Sequence, residues 1–313
     1  MFQKLTSLIL ALLLSTLGVA RSQQAISSIT QSRLFTNPTA PGTTYVDANG
    51  TALPEDENAA GAGDDSFGTQ LILKNQERRR IFTVFADASA FHTNNVDLIP
   101  HGSRSDSFLA ANVGAAWRPA IRQDLIADFS GGISVFRYDR ATELDFEKLW
   151  AGVGLSWAVP RAPGIIVFGR YDFSEVLDAS SNQLLQDHEL SIGAQKIFVF
   201  GRSHFLATGL TGILGLSTPR SQQRDQAAIH AAYHLQITRS FDVDLLYRYA
   251  GQFYNEGGRI DRNQTLSLAM GIAATRWLRV AGSISAARND SNQSAFEYDV
   301  FNIGGGLKLE ITF

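Results

Sequence analysis

The chain has 313 residues, with 27 Lys and Arg against 30 Asp and Glu, and no Cys. A formal net charge of −3 offers no basis for holding nucleic acid or an anionic membrane surface. The missing cysteines exclude a disulfide scaffold, a thiolate metal centre and a lipid-anchored N-terminal cysteine.

Met1 to Lys4 is a short charged start, and Leu5 to Ala20 is an apolar run rich in Leu. Gly18, Val19 and Ala20 place small residues at the cleavage positions. This pattern predicts a cleaved signal peptide over 1–20. The run is shorter than the ~20 residues a spanning helix needs. No later stretch is apolar enough for a helix to cross a bilayer, and the mean hydropathy is near zero.

Residues 21–79 are rich in Gly, Pro, Ala, Asp and Asn, as in Asn37-Pro38-Thr39-Ala40-Pro41-Gly42. They predict a flexible N-terminal periplasmic segment, or a plug. Arg78, Arg79 and Arg80 then stand just before the first strand, where they would meet lipid headgroups.

From residue 80 to 313 the chain reads as strands separated by turn signals. The first places Phe82, Val84, Ala86, Ala88 and Ala90 on one face. The second places Leu109, Ala111, Val113, Ala115 and Trp117 there. The same alternation recurs near 125–135, 149–157, 165–173, 190–194, 227–237, 241–249, 266–274 and 278–286. A stretch from Phe205 to Leu214 also reads as a strand, but apolar residues fall on both of its faces and its phase stays open. The last strand places Phe301, Ile303, Leu307, Leu309, Ile311 and Phe313 on one face, with Lys308, Glu310 and Thr312 on the other. That makes about twelve strands, each near the length a tilted strand needs to cross hydrocarbon.

The connections are predicted to alternate in length. Arg118 to Asp124, Pro160 to Gly164 and Thr238 to Ser240 are short, whereas Thr93 to Asp106, Ser174 to Asp187 and Gly251 to Asn263 are long and polar. Short turns at one end and long loops at the other are the asymmetry of a membrane barrel. A soluble β-sandwich has no reason to sort its loops by length. Trp117, Trp157, Phe241 and Tyr249 sit near strand ends, where an interfacial aromatic girdle belongs. The predicted fold is therefore all-β, a transmembrane antiparallel up-and-down β-barrel.

The other face must line the lumen. It holds many small residues, among them Ser130, Gly132, Gly152, Gly193, Ala228, Ser267, Gly271, Ser283 and Gly304. A lining this small predicts space for water or for an insert. The charges on that face are Asp87, Asp128, Arg170, Asp172, Asp242, Asp244, Arg248, Arg279, Lys308 and Glu310. They mark a wet or ion-paired interior, with a slight acidic excess.

His230 and His234 point inward but stand about 13 Å apart along one strand, too far to share a metal, with no acidic cluster evident beside them. His101 and Ser103 have a suggestive spacing, yet they fall in a loop beside Pro100 and Gly102 without an orienting partner. No catalytic residue, metal site or cofactor is expected.

The alternating strand that ends in Phe313, the loop asymmetry and the signal peptide together resemble the Gram-negative outer-membrane β-barrel protein family. Residues 82–96 (FTVFADASAFHTNNV) look like the first strand of barrels in that family to which no mechanism is attached. The resemblance implies export to the outer membrane, contact with its lipid and lipopolysaccharide, and assembly by the barrel assembly machinery. That machinery would read the C-terminal strand through Phe301, Ile303, Leu307, Leu309, Ile311 and Phe313. Nucleic acid is not an expected partner, and a homo-oligomer stays open. The favoured function is a porin-like passive channel for small hydrophilic solutes. The alternative is a non-conducting structural or surface-exposed barrel plugged by its N-terminal segment. A membrane-embedded hydrolase is the remote third.

Overall fold

A computed structural model describes residues 81–201 and 203–313. The predicted signal peptide (1–20) and the segment 21–79 lie outside the described residues. The strands are β1 (Phe82–Thr93), β2 (Asp106–Trp117), β3 (Ala120–Arg122), β4 (Leu125–Tyr138), β5 (Phe146–Ala158), β6 (Ile165–Asp178) and β7 (Gln183–Val199). They continue with β8 (His204–Thr218), β9 (Arg224–Gln236), β10 (Phe241–Tyr254), β11 (Ile260–Ala273), β12 (Leu278–Ser291) and β13 (Tyr298–Thr312).

Each strand pairs antiparallel with its sequence neighbours, and β1 pairs with β13 to close the ring. The short β3 is a three-residue hairpin partner of β4 inside the first turn, so β2 pairs directly with β4. The result is a closed barrel of 12 staves. Closure leaves no edge strand with unpaired backbone groups, which hydrocarbon would not tolerate. The seam runs from Thr83 opposite Thr312 to Thr93 opposite Asn302, and the Phe313 amide donates to Phe82 O at 2.8 Å. We call the end that holds Phe82 and Phe313 the terminal end, and the opposite end the loop end.

The outer wall is apolar. Leu109, Val113, Ile133, Leu155, Ile192, Leu210, Leu266, Ile284 and Leu307 all point outward, and nearly all are exposed. β8 has a definite phase: Leu206, Leu210, Leu214 and Leu216 face out, while Phe205, Ala207, Gly209, Thr211 and Ile213 face in. Its sequence was ambiguous because Phe205 and Ile213 are apolar residues on the inner face.

The interior corrects the expectation that small residues leave open space. Many inward glycines are covered by a large side chain from the adjacent strand. A Cβ built on Gly114 would lie 2.6 Å from Phe85 Cζ, and one on Gly132 would lie 2.8 Å from Trp150 Cζ2. Phe168 covers Gly193 and Phe91 covers Gly304 in the same way. These glycines are therefore sockets, and at such positions glycine is needed for the close approach.

At the loop end the β1–β7 side of the lumen is filled. Phe91, Phe108, Phe136, Tyr138, Phe146, Val176 and Leu185 form one buried cluster with Val96 and Leu144 from the loops. The rings of Phe136 and Phe146 stack 4.3 Å apart, and those of Phe91 and Phe108 lie 5.4 Å apart. Such pairs contribute about 0.5–1.5 kcal/mol beyond their buried area.

The loop asymmetry is milder than predicted. β6 runs on to Asp178 and β7 starts at Gln183, so the connection expected from Ser174 to Asp187 is mostly strand. β10 and β11 likewise extend to Tyr254 and from Ile260. Toward the loop end charged residues enter the outer face, so the apolar-out alternation is lost while the backbone ladder continues. Arg137, Glu147, Glu175, Arg262, Arg288 and Asp290 point outward along this upper rim.

The socket arrangement carries a direct test. Gly132→Val should destabilise the barrel by about 1–3 kcal/mol, because its side chain must displace Trp150 and press on the β2 backbone. Urea unfolding in detergent micelles, followed by the loss of Trp fluorescence, measures this.

Candidate functional site

The functional surface is the inner wall, and the hairpin registers set what meets there. Asp87, Asp128, Arg170, Asp172, Asp242, Asp244, Arg248, Arg279, Lys308 and Glu310 all alternate inward. The structure draws most of them into pairs. Arg118 donates from Nε to Asp128 Oδ2 at 2.8 Å, and Arg170 donates to the other oxygen of Asp128. Arg170 also reaches Asp172 Oδ1 at 2.6 Å and Ser130 Oγ at 2.7 Å. Its guanidinium lies over Gly152, another socket.

A second cluster lies at the terminal end of β9–β12. Arg279 donates to both carboxylate oxygens of Asp242 by crossing the bare position of Gly271. His234 Nδ1 lies 2.7 Å from Asp244 Oδ1. Lys308 and Glu310 pair at 2.6 Å, and Asn112 bridges Asp87 at 3.1 Å and Ser134 at 2.9 Å.

His234 thus has an acidic neighbourhood, which corrects the reading that none was beside it. One ligand atom each from His234, Asp242 and Asp244 lies within 4.8 Å of the others. The donor set has metal-ligand character, but Arg279 already occupies both Asp242 oxygens and adds a positive charge beside any cation. The chemistry fits an ion-pair network better than a metal centre. The tight turn between Ile237 and Ser240 sets His234 opposite Asp244, and that turn was the sequence signal for the contact.

The loop end carries groups that no sequence pattern flagged. Arg259 lies between the rings of Tyr254 and Phe296, 3.9 and 3.7 Å from their centroids, and pairs with buried Asp261. Arg224 approaches Tyr254 at 5.8 Å. The loop 94–105 folds inward at the loop end. Val96 joins the aromatic cluster on one side, and Leu98 packs with Ala287, Tyr298 and Val300 on the other. The Asn95 amide ties the loop down by donating to Ile99 O and Asp299 O, both at 2.9 Å.

His101 and Ser103 stand exposed on that loop's tip, with Gly102 at φ +74° between them. A His–Ser contact forms elsewhere: His92 Nδ1 and Ser107 Oγ are 3.1 Å apart on the outer wall. The two residues are directly opposed on β1 and β2, so the contact is an ordinary cross-strand neighbour pair.

The aromatic residues at strand ends are also placed. Trp117 faces outward and stacks on Phe129 at 5.2 Å. Trp157 faces outward and donates to Asp124 Oδ2 at 2.8 Å. Phe241 lies on the outer face at the terminal end, and Tyr249 on the outer face in the loop-end half of β10. On β13, Phe301, Ile303, Leu307, Leu309 and Ile311 face outward, and the exposed Phe313 just after it lies 6.3 Å from the Phe82 ring.

No family model and no curated relative matches the chain. Solved structures do resemble it. An outer membrane channel from Pseudomonas putida superposes with a TM-score of 0.52 at 7% identity, covering 77% of this chain and all (100%) of that one. The β domain of the Bordetella autotransporter BrkA gives a TM-score of 0.46 at 8% identity, covering 72% and 98%. An anion-selective porin from Comamonas acidovorans gives 0.40 at 8%, covering 74% and 98%. At such identities the likeness is one of fold, and the fold is that of outer-membrane β-barrels.

One tether at the mouth titrates. Arg104, on the loop 94–105, donates to Asp97 and, at 2.8 Å, to Glu143 of the next loop. The Arg104 hydrogen bond holds the Glu143 carboxyl below its usual value of 4.5. A depressed carboxylate pKa means the tether is complete above pH 4.5 and is lost as the pH falls through the folded value. Carbon-13 NMR of the Glu143 carboxyl should show a midpoint below 4.5, and amide protection across 94–105, measured relative to the intrinsic exchange rate at each pH, should fall through the same interval. Both groups are largely exposed, so the effect on global stability should be small.

Proposed function

We propose that the protein is an outer-membrane channel that passes small hydrophilic solutes passively. The observation that carries this reading is the asymmetry of the inner wall. The β1–β7 side is filled with rings at the loop end. The β8–β13 side is lined at mid-depth by Gly209, Thr211, Ala228, Ala232, Ser267, Ala269, Ser283 and Ser285. In this reading these smaller groups border a path beside the aromatic wall, and ion pairs at the terminal end keep it wet. The loop 94–105 would act as the constriction.

In this reading the terminal end faces the periplasm, residues 1–20 are a cleaved signal peptide, and the cell is a Gram-negative bacterium. The outer wall contacts lipid and lipopolysaccharide, and the outward residues of β13 are the segment that the barrel assembly machinery reads. The apolar wall also leaves room for a second copy of the chain. Neither catalysis nor nucleic acid has a part in it. The exposed His101 and Ser103 and the paired lumen histidine His234 suit a protein without a reaction to perform.

A second reading is favoured by the loop end itself. The aromatic cluster, the inward loop and the stacked Arg259 together suit a barrel that does not conduct.

Single-channel recording in a planar bilayer separates the two. The full chain should give discrete steps, and Ser283→Trp, which puts a large side chain into the proposed path, should lower their size by about half or more. A version lacking 21–79 tests whether that segment plugs the barrel. Silence from both the full and shortened chains would overturn the channel reading in favour of the closed barrel.

A further inference from the structure

Two glycines of the outer wall differ from the inner sockets. Gly169 on β6 and Gly212 on β8 both face out. A Cβ on Gly212 would meet nothing within 4 Å, and one on Gly169 would meet only Ser191 O at 3.8 Å. Neither has a positive φ. Neither packing nor backbone geometry asks for glycine here, although glycine weakens a strand interior.

The bare positions lie in one row. Leu155 is opposite Gly169, Gly169 is opposite Ile192, Ile192 is opposite Gly212, and Gly212 is opposite Ala227. From β5 to β9 this row spans about 19 Å at the usual strand spacing. It belongs to an apolar groove of about 820 Å³ bordered by Val153, Tyr171, Leu190, Leu214 and Phe253. Ile192, with a glycine on either flank, is 68% exposed.

The groove has a cation at one end. Beyond Ala227 the row continues to Gly251 on β10 and Arg262 on β11. The Phe253 ring leans toward Gly251, 3.5 Å from where a Cβ would lie. Asp290 stands opposite Arg262 but is held by Arg288 at 2.9 Å, and Arg262 makes no ion pair among the described residues. Asp225, at the groove's margin, accepts from the Gly215 amide at 3.4 Å. The row climbs as it crosses the tilted strands. Gly169 is the fifth residue of β6 from the terminal end, whereas Arg262 is the third residue of β11 from the loop end. The cation therefore stands at the rim, and the groove descends from it into the wall.

We propose that this groove seats one acyl chain of lipopolysaccharide, with a phosphate of its lipid A headgroup on Arg262. A lipid has the same order of parts, an anionic head at the interface and an apolar tail below it. A guanidinium takes phosphate through paired N–H donors. A second barrel would bring a convex wall, which cannot enter a groove. The proposed function places the loop end at the cell exterior, where the leaflet is lipopolysaccharide. The assignment takes only that orientation from it and is indifferent to conduction.

Native mass spectrometry of the full chain released from detergent micelles counts bound lipid directly. Diphosphorylated lipid A is the probe, and phosphatidylglycerol is the competing anionic lipid. The unaltered chain should retain lipid A and little phosphatidylglycerol. Gly212→Phe fills the groove and Arg262→Gln removes the charge, and each should cut retained lipid A by about fivefold or more. Ala286→Phe puts the same ring on the outer face of β12, away from the groove, and should change nothing. All three positions face out, so circular dichroism should show folded barrels throughout. Equal retention by every variant would overturn the site, as would no retention by the unaltered chain. Stronger retention of phosphatidylglycerol would overturn lipopolysaccharide as the occupant. A dimer abolished by Gly212→Phe, in place of bound lipid, would overturn it in favour of a second copy. Lipid A retained by a chain that stays silent in a bilayer would keep the site and sink the channel reading.

Discussion

Everything in this molecule depends on the ring being closed. In hydrocarbon an unpaired N–H or C=O costs several kcal/mol, and a strand pair has two such edges. The pairing of β1 with β13 removes both edges at once. It also forces a choice at each residue between a lipid-facing side chain and a lumen-facing one, since the pleat allows no third direction. The apolar outer wall, the crowded inner wall and the ion pairs all follow from that choice.

Closure also sets how the inside is filled. Strands must tilt and coil, which brings side chains on one strand across the backbone of the next. Glycine then becomes the complement of a large neighbour. Phe85 needs Gly114, Trp150 needs Gly132, Arg170 needs Gly152 and Arg279 needs Gly271. The two arginine cases tie packing to electrostatics. Without the bare positions of Gly152 and Gly271, neither guanidinium could span the strand that separates it from its aspartate. Charged groups in a narrow lumen are tolerable because such pairs satisfy them.

The outer half of this design was legible in the sequence and the inner half was not. Lipid imposes one rule on every outward residue, so alternation around Leu109, Val113 and Trp117 or around Leu307, Leu309 and Ile311 reveals strand, phase and face together. Inward residues obey no common rule. Phe91, Phe108, Phe136 and Phe146 are as apolar as the lipid face, and they meet only because three separate hairpin registers align them. Alternation alone read the small residues as space, because the side chains that fill them come from neighbouring strands. Gln195 and His230 were invisible as a pair for the same reason. They are 35 residues apart in the chain and adjacent only through Gly209. His234 and Asp244 were within reach of sequence reasoning, since a single tight turn determines their pairing.

The unequal filling of the lumen gives the barrel a direction. Rings and the inward loop 94–105 crowd the loop end more than the rest of the inner wall. The terminal end is lined by charges that are largely paired with one another. Between them lies the row of Gln195, Gly209 and His230, where the Gln195 amide and His230 Nε2 are buried without hydrogen-bond partners. A wall made only to be filled would place apolar groups at Gln195 and His230, because they would pack equally well and leave nothing unsatisfied.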